Sequence, residues 1–422
     1  MINGARGTKD IFADEAYLWS ELESIIKNIF FEFNFCEIRT PIFEHTELFT
    51  RGVGENSDIV QKEMYTFLDK AGRSLTLKPE GTAPVVRAGI EHNLFELYPK
   101  LFYISPAFRY ERPQNGRYRE FYQCGAEFFG CEKPECDAEI IFLASKILFD
   151  LGLKNINLKI NSIGCKNCRQ KYNSELKNFV RENLNDFCSD CQKRFETNTL
   201  RILDCKKETC KKFLSQAPNI LDFLCNNCKE HFERLKHLLD KLKINFEVDN
   251  KIVRGLDYYS RTVFEFINDG IAVCGGGRYD DLVSELGGRK VSAVGFGFGM
   301  ERLISVIKNQ NLFSDCKNKL DLFIGNMSLE SREAAFLIMN DLRRKNFKVE
   351  YNLCDKSIKS QIKNAVRLNA KFFILLGDDE LKSGKIKIKN LESKSEDEIR
   401  LDLIDKFLLE KKRTEDNFYE KK

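Results

Sequence analysis

The chain has no apolar run approaching the roughly 20 residues a membrane-spanning helix needs, and its first ten residues, MINGARGTKD, lack the apolar core of a secretory signal. These absences argue against a helical membrane protein and make the cytoplasm the expected compartment. Charge of one sign is not in excess either. Against 64 Asp and Glu stand 68 Lys and Arg, a net +4 over 422 residues, so composition alone announces no nucleic-acid binding and any RNA contact must come from local patches. Histidine is scarce: His45, His92, His231 and His237 are scattered, none paired at metal-ligand spacing, and a His-based catalytic metal site is not expected. Cysteine, by contrast, is abundant at 15 residues. Without a secretory signal these read as reduced thiols or metal ligands, not as a disulfide framework. Length and a hydrophobic content of 42% suffice for two or three globular domains.

The stretch richest in chemistry is SPAFRYERPQNGRYREFYQCGAEFFG, Ser105 to Gly130. A short apolar run, Leu101 to Ile104, leads into Phe108-Arg109-Tyr110. The turn signal Pro113-Gln114-Asn115-Gly116 follows, and a second extended run starts at Arg119. This pattern predicts two antiparallel strands joined by a long charged loop. Side chains two apart on a strand share a face, so Phe121, Gln123 and Glu127 point one way and Tyr122, Cys124 and Phe128 the other. A guanidinium such as Arg109 grips phosphate with two parallel hydrogen bonds, Phe121 offers a stacking surface for a base, and Gln123 and Glu127 can hydrogen-bond a polar, partly cationic group. An amphipathic hairpin with a solvated Arg-rich loop would account for any one of these residues. Together they fit a small, charged, planar ligand.

Along the rest of the chain, Leu18, Leu22, Ile25, Ile26, Ile29, Phe30 and Phe33 recur at helical spacing. An extended segment from Phe35 to Phe43 is interrupted by Pro41, as at a sheet edge. Met64 to Leu68 and Ser74 to Lys78 read as a hairpin that delivers Lys78-Pro79-Glu80-Gly81-Thr82 to a strand end. There Glu80 and Thr82 either bind an ammonium group or cap the helix that runs on through Arg87 and Ile90. A helix over Asp137 to Leu151 and a strand at Ile156 to Ile160 come next. From Ser162 to about Leu242 the chain turns polar, helical and cysteine-rich, with Cys165, Cys168, Cys188, Cys191, Cys205, Cys210, Cys225 and Cys228. Two thiolates two residues apart can reach one zinc ion, but these spacings match no standard finger and select no four ligands; small buried hydrophobes are the other reading.

Val253-Arg254-Gly255-Leu256-Asp257-Tyr258-Tyr259 precedes a strand from Arg261 to Ile267 and the run Gly275-Gly276-Gly277-Arg278-Tyr279-Asp280, which by itself reads as a tight turn. In AVGFGFGMERL, from Ala293 to Leu303, alternating small residues let a strand lie close beneath a nucleotide, and Glu301-Arg302 opens a helix. A polar linker, Lys308 to Lys319, leads to alternating strands and helices, a small α/β domain with a largely parallel core. On its second helix Lys356, Lys359, Lys363 and Arg367 share a face opposite Ile358, Ile362 and Ala365, a solvated stripe or a surface for RNA phosphates. From Glu410 the chain is charged and expected to be disordered.

FRYERPQNGRYREFYQ resembles motif 2 of the class II aminoacyl-tRNA synthetases in the version carried by histidyl-tRNA synthetases. RGLDYY and GGGRYD resemble that family's two signature motifs, AVGFGFGMERL resembles motif 3, and the first helix with the strand to Pro41 resembles motif 1. The resemblance covers nearly the whole chain. It implies an α+β fold: an antiparallel-sheet catalytic core in two parts (1–161 and 244–308), a helical insertion (162–243) that leans on the tRNA acceptor arm, an α/β anticodon-binding domain (320–411) and a charged tail (412–422). The implied reaction is that of a histidine–tRNA ligase: L-histidine and ATP, with Mg²⁺, give histidyl-adenylate and pyrophosphate, and histidine then passes to the 3′ end of tRNA(His).

By resemblance Arg254 and Arg109 are the catalytic cations. Glu80, Gly81 and Thr82 hold the amino group, and Gln123, Glu127, Arg254, Tyr258, Tyr259 and Tyr279 line the histidine pocket. Arg109, Glu111, Arg117, Phe121 and Arg302 bind ATP, Gln114 and Arg117 touch the acceptor stem, and motif 1 builds a homodimer. The alternative is a non-catalytic regulatory paralogue serving histidine biosynthesis. Such proteins lack the anticodon domain and carry degraded signatures, and this chain keeps both.

Overall fold

The structure is a computed structural model that describes residues 2–419 except 56, 115, 315 and 355, with the backbone alone for 414–419. It divides into two compact units, residues 1–11 with 20–314 and residues 12–19 with 315–422.

In the first unit β1 (Cys36–Glu37), β2 (Phe43–His45), β3 (Tyr65–Leu68), β4 (Ser74–Leu77), β5 (Lys100–Phe108) and β6 (Glu120–Phe129) precede β7 (Ile156–Ser162), β8 (Phe246–Val248), β9 (Ser260–Asn268), β10 (Ile271–Arg278) and β11 (Ala293–Gly299). Eight of them form one sheet in the order β1-β5-β6-β11-β10-β9-β7-β8, antiparallel through its middle with a short parallel strand at each edge. β2, β4 and β3 make a small antiparallel sheet. Pro41, which has no N–H to donate, falls between β1 and β2. The extended segment expected from Phe35 to Phe43 is therefore two short strands in different sheets.

The expected β5–β6 hairpin forms, in register from Lys100 opposite Phe128 to Phe108 opposite Glu120. The glycine run departs from the tight-turn reading: Gly275, Gly276 and Gly277 lie inside β10, paired to β9 on one side and β11 on the other. Glycine weakens a strand unless a neighbour takes the vacant space. Here neighbours do, since a Cβ on Gly276 would stand 2.2 Å from the Gly295 carbonyl and 2.7 Å from the Phe264 ring.

The helix Ala13–Glu32 buries Leu22, Ile26, Ile29 and Phe30 at helical spacing, and Phe30 stacks on Phe102 of β5 with centroids 4.4 Å apart. The cysteine-rich segment leaves after β7 and returns beside it as β8, parallel to β7. Between lie the helices Lys166–Glu182, Ser189–Thr197, Glu208–Leu214 and Asn226–Lys241. Tyr172, Leu176 and Phe195 of this segment share one buried cluster with Tyr258, Tyr259 and Val263, so insertion and sheet are packed as one body.

Arg278 of the GGGRYD run is fully buried. Its guanidinium bonds Asp137 on the helix Pro134–Asp150, the Cys131 carbonyl at 2.7 Å and the Lys133 carbonyl at 3.2 Å. Burial would raise the Asp137 pKa, but Arg278, together with His231 at 3.4 Å, outweighs it and holds the carboxyl at about 2. Cys131 and Cys136 are joined as a disulfide, the exception to the expectation of reduced thiols; their Cα atoms, 6.6 Å apart, are within bonding reach.

The second unit orders β12 (Leu320–Asn326), β13 (Val349–Tyr351), β14 (Ala370–Leu376), β15 (Lys385–Asn390) and β16 (Glu396–Arg400) as β13-β12-β14-β15-β16. The first three are parallel, and the antiparallel β15–β16 hairpin completes the edge. On the helix Ile358–Arg367, Lys359, Lys363 and Arg367 are exposed as expected, but so is Ile358, and the buried face is Gln361 and Ala365. Gln361 tolerates burial because its amide is satisfied by the N–H and carbonyl of Asn326 at 3.0 and 2.9 Å. The tail expected to be disordered instead continues the helix Ile404–Tyr419, and residues 420–422 lie outside the described residues.

Removing the charge at Asp137 leaves Arg278 buried without its main counter-ion, so Asp137→Asn should lower stability by about 3–5 kcal/mol, read from urea midpoints. The folded pKa lies below the ordinary 3.8, so the carboxylate's contribution is complete above about pH 4 and is lost as pH falls toward 2. Wild type should shed that increment in this window, and the variant should not. Equal urea midpoints at neutral pH would contradict this role for the pair.

Candidate functional site

The site lies where β6, β11 and β10 run side by side. Gln123, Gly125 and Glu127 of β6 face Gly299, Gly297 and Gly295 of β11, and Gly297 and Gly295 in turn face Gly275 and Gly277 of β10. A Cβ on Gly295 would stand 1.9 Å from Glu127 Oε2, one on Gly297 2.7 Å from Gln123 Nε2, and one on Gly275 2.3 Å from Arg254 Nη1. Glycine at these positions leaves room for the ends of three side chains that lie across the strands where a Cβ would be. The motif 3 glycines thus make room first for the protein's own carboxylate and amide.

Among the described residues Arg109, Arg117, Arg254 and Arg302 line one cavity on this floor with the carboxyls Glu111 and Glu301, and Arg254 is paired with Glu265 outside that lining, so cations remain in excess. Such a cavity attracts a polyanion. Arg109 donates to the Pro79 carbonyl at 2.8 Å and lies 5.3 Å over the Phe121 ring. Arg117 reaches Glu111 at 3.2 Å. Arg302, at the start of the helix Met300–Asn309, has its pKa lowered by burial and by the nearby Arg117 charge; a bound anion would relieve both. Burial alone would lower the Arg254 pKa, but Tyr259 and its ion-pair partner Glu265 raise it. Glu301 accepts the Tyr122 N–H at 2.9 Å, and burial pushes it to about 7. Gln114 and Arg117 close a turn through reciprocal backbone bonds of 3.2 and 2.8 Å, with Gly116 at φ +71. Asn115 lies outside the described residues.

Deeper in, one Glu127 oxygen accepts the Thr82 hydroxyl at 2.7 Å and the other the Tyr279 hydroxyl at 2.5 Å. Burial raises this carboxyl to about 8 despite both bonds. Tyr258 packs against Tyr259 and Tyr279 with centroids 4.7 and 5.5 Å away, and all three rings are buried. The Gly81 N–H donates to Gln123 Oε1 at 3.1 Å. The two Glu80 oxygens accept the N–H groups of Thr82 and Ala83, each at 2.7 Å, at the start of the helix Thr82–Glu91. Of its two sequence readings, capping is the one seen in the geometry.

The structure therefore gathers two sets, the arginines with Phe121 and Glu111, and Glu80, Gly81, Thr82, Gln123, Glu127 and the three tyrosines. Gln114 does not line the cavity, and the eight insertion cysteines lie away from it in two groups of four. Sequence reasoning missed Glu265, whose signal was a lone carboxylate within an apolar strand. It also missed Tyr103, hidden in a run read as apolar. Tyr103 is buried, and its ring sits 2.2 Å from where a Gly81 Cβ would be. The insertion holds the Arg254 loop: Arg169 bonds the Tyr259 carbonyl at 2.9 Å, Asn198 bonds Asp257 at 2.8 Å and Arg201 bonds the Gly255 carbonyl at 3.0 Å.

The family model described as Histidyl-tRNA synthetase matches residues 7–303, and one described as an anticodon binding domain matches 321–411. A histidine–tRNA ligase of Thermoanaerobacter sp. (strain X514) is 50% identical over 411 residues, 96% of this chain and 98% of its own. Among solved structures, apo histidyl-tRNA synthetase of S. aureus is 38% identical with a TM-score of 0.82, over 97% of this chain and 100% of that one. An ATP phosphoribosyltransferase regulatory subunit/histidyl-tRNA synthetase from Bacillus halodurans C shares the fold, at 21% identity and a TM-score of 0.65 over 89% of this chain and 98% of that one. The antiparallel sheet and the C-terminal domain are those of a class II aminoacyl-tRNA synthetase. Within that class the chain belongs to the histidyl-tRNA synthetase family.

If the floor is glycine because Arg254 lies on it, Gly275→Ala should cost about 1–3 kcal/mol by overpacking, read from urea midpoints. In an Arg254→Ala background the same substitution should cost little. An equal cost in both backgrounds would place the clash elsewhere.

Proposed function

We propose that the chain is a working histidine–tRNA ligase. The observation that carries this reading is the adjacency, on one glycine floor, of a cationic cavity and a buried carboxylate–tyrosine pocket. In the first step the histidine carboxylate attacks the α-phosphorus of ATP in line and pyrophosphate leaves. Charge develops on the α-phosphate oxygens, and Arg109 and Arg254, held in place before the reaction, lower the barrier by meeting it. Phe121, one face already under Arg109, stacks the adenine. Arg302 takes the γ-phosphate, with Arg117 and Glu111 beside it. The hard oxygen donors Glu111 and Glu301 suit the Mg²⁺ that accompanies ATP, and the raised pKa of Glu301 fits a group that gains from a cation. When bound, that ion offsets phosphate charge.

Glu80, Gly81 and Thr82 receive the α-amino group, Glu80 through lone pairs its helix bonds leave free. Gln123, Glu127, Tyr258, Tyr259 and Tyr279 read the imidazole. In the second step a terminal ribose hydroxyl of tRNA(His) takes the histidyl group, with Gln114 and Arg117 at the acceptor stem. The exposed Lys359, Lys363 and Arg367 face the RNA from the C-terminal domain. Ile42, Phe43, Phe67 and Leu68 stand exposed on or beside the small sheet, an apolar patch of the kind a second copy covers in a homodimer. No helix among the described residues is long and apolar enough to cross a membrane, and the cytoplasm is the proposed compartment. The match to an anticodon binding domain favours the ligase over the regulatory paralogue.

Pyrophosphate exchange into ATP, run with each amino acid separately, should depend on histidine alone, because a pocket built to hydrogen-bond the imidazole leaves its own polar groups unpaired with other side chains. Exchange with another amino acid, or none with histidine, would overturn the reading. Arg254→Ala should lower kcat on the order of 10²- to 10³-fold with KM little changed, whereas Glu127→Ala should act mainly on the KM for histidine. The free Glu127 carboxyl holds its proton below about 8, while free imidazole has lost its own above about 6.5, so on binding the proton passes from the carboxyl to the ring and none is exchanged with solvent in that window. Wild-type affinity for histidine should therefore be level from about pH 6.5 to 8 and weaken above 8, where the pair must take up a proton, and Glu127→Gln should lose that alkaline fall. A rise only in KM for Arg254→Ala would move Arg254 into the binding pocket.

A further inference from the structure

The sequence offers eight insertion cysteines without choosing among them; the fold sorts them into Cys165, Cys168, Cys225 and Cys228, and Cys188, Cys191, Cys205 and Cys210. We propose that the insertion holds two structural zinc ions, each in a site of four thiolates, one in each group.

The first group joins chain segments far apart in sequence. Cys165 and Cys225 each stand immediately before a helix, Lys166–Glu182 and Asn226–Lys241, with Cys168 and Cys228 in the first turns. Within each group all four sulfurs lie within 4.8 Å of one another. A tetrahedral zinc with bonds of about 2.3 Å sets sulfur–sulfur edges of about 3.8 Å, and Cys165–Cys168 measures 3.5 Å and Cys188–Cys205 3.9 Å. Every one of the eight is free of disulfide bonding. Cysteines serving only as small hydrophobes have no reason to turn four sulfurs toward one point, twice.

Backbone donors complete each site. The Cys225 N–H reaches Cys168 Sγ at 3.1 Å, and the Cys188 N–H reaches Cys210 Sγ at 3.3 Å. Such bonds favour the thiolate and orient it, as outer partners do around a metal. Soft four-sulfur tetrahedra select zinc or iron, and a cluster of several irons between the thiolates would spread them beyond the spacing found here. Each ion has its own span to hold. The first ties the start of the insertion, just after β7, to the start of its last helix, Asn226–Lys241. In the second, Cys191 and Cys205 bracket the segment carrying Asn198 and Arg201, the residues that bond Asp257 and the Gly255 carbonyl beside Arg254. Metal bound in the folded insertion adds its binding free energy to the apolar cluster that the insertion shares with the sheet.

The test is metal analysis of the full-length chain purified in reducing buffer without added metal, and it does not depend on the ligase reading. Two zinc ions per chain are expected, one for each four-cysteine group. The double variant Cys165→Ser/Cys225→Ser should retain one, as should Cys188→Ser/Cys205→Ser. Exchange with Co²⁺ should give sulfur-to-cobalt charge-transfer absorption of about twice the intensity per chain found in either double variant, with the visible bands of four-sulfur tetrahedral sites. If the double variants do not fold, the wild-type count and its cobalt spectrum decide. Iron in place of zinc, fewer than two zinc ions in the wild type, or ready reaction of all eight thiols with a disulfide reagent before any chelator is added would overturn the proposal.

Discussion

The close approach of Arg254, Gln123 and Glu127 to the strands beneath them is the constraint on which the site depends. It goes with glycine at 275, 297 and 295, since a Cβ at any of these would fall within 2.7 Å of the side chain above it and displace that side chain. Those glycines come from two strands, β11 beside β6 and β10 next to β11. β9 then supplies Glu265 to Arg254, and the insertion fixes the loop from the other side through Arg169, Asn198 and Arg201. Segments from across the whole first unit are thus needed to place one guanidinium.

Electrostatics divides the site into two complementary halves. The outer half carries a surplus of cations, and Arg302 is already depressed by burial and by Arg117. The inner half carries two carboxyls, Glu80 and Glu127, whose pKa burial raises, that of Glu127 to about 8. Each half stores a cost that a ligand of the opposite charge removes. A molecule with an anionic phosphate in its middle and a nitrogen-rich, partly cationic group at its end would remove both. Arg278 shows the contrast: fully buried and fully paired with Asp137, it locks a strand to a helix and offers nothing to a ligand.

Much of this could be read from the residues. The β5–β6 hairpin was legible because alternation over Phe121, Gln123 and Glu127 fixes a face, and the C-terminal α/β alternation was legible from its period. Taken alone the glycine run allows a turn, and its place in β10 is not legible because local preference says nothing of the side chains that come to lie on a strand. Arg278 and Tyr279 are adjacent in sequence, yet Arg278, the last residue of β10, pairs with Asp137 while Tyr279, just beyond the strand, donates to Glu127, a division that local sequence does not show. Ile358 was placed on the buried face because apolar residues usually are; Gln361 took that place once Asn326 satisfied its amide. The grouping of the cysteines depends on helix starts meeting in space, which spacing cannot give.

The central claim is that one ligand spans both halves of the floor, and a crystal structure of the protein with a non-hydrolysable histidyl-adenylate analogue tests it most directly. The account predicts the imidazole against Glu127 and Tyr279, the phosphate mimic between Arg109 and Arg254, and the adenine on Phe121. An analogue bound with its imidazole outside the Glu127 pocket, or with its phosphate mimic away from both arginines, would contradict it.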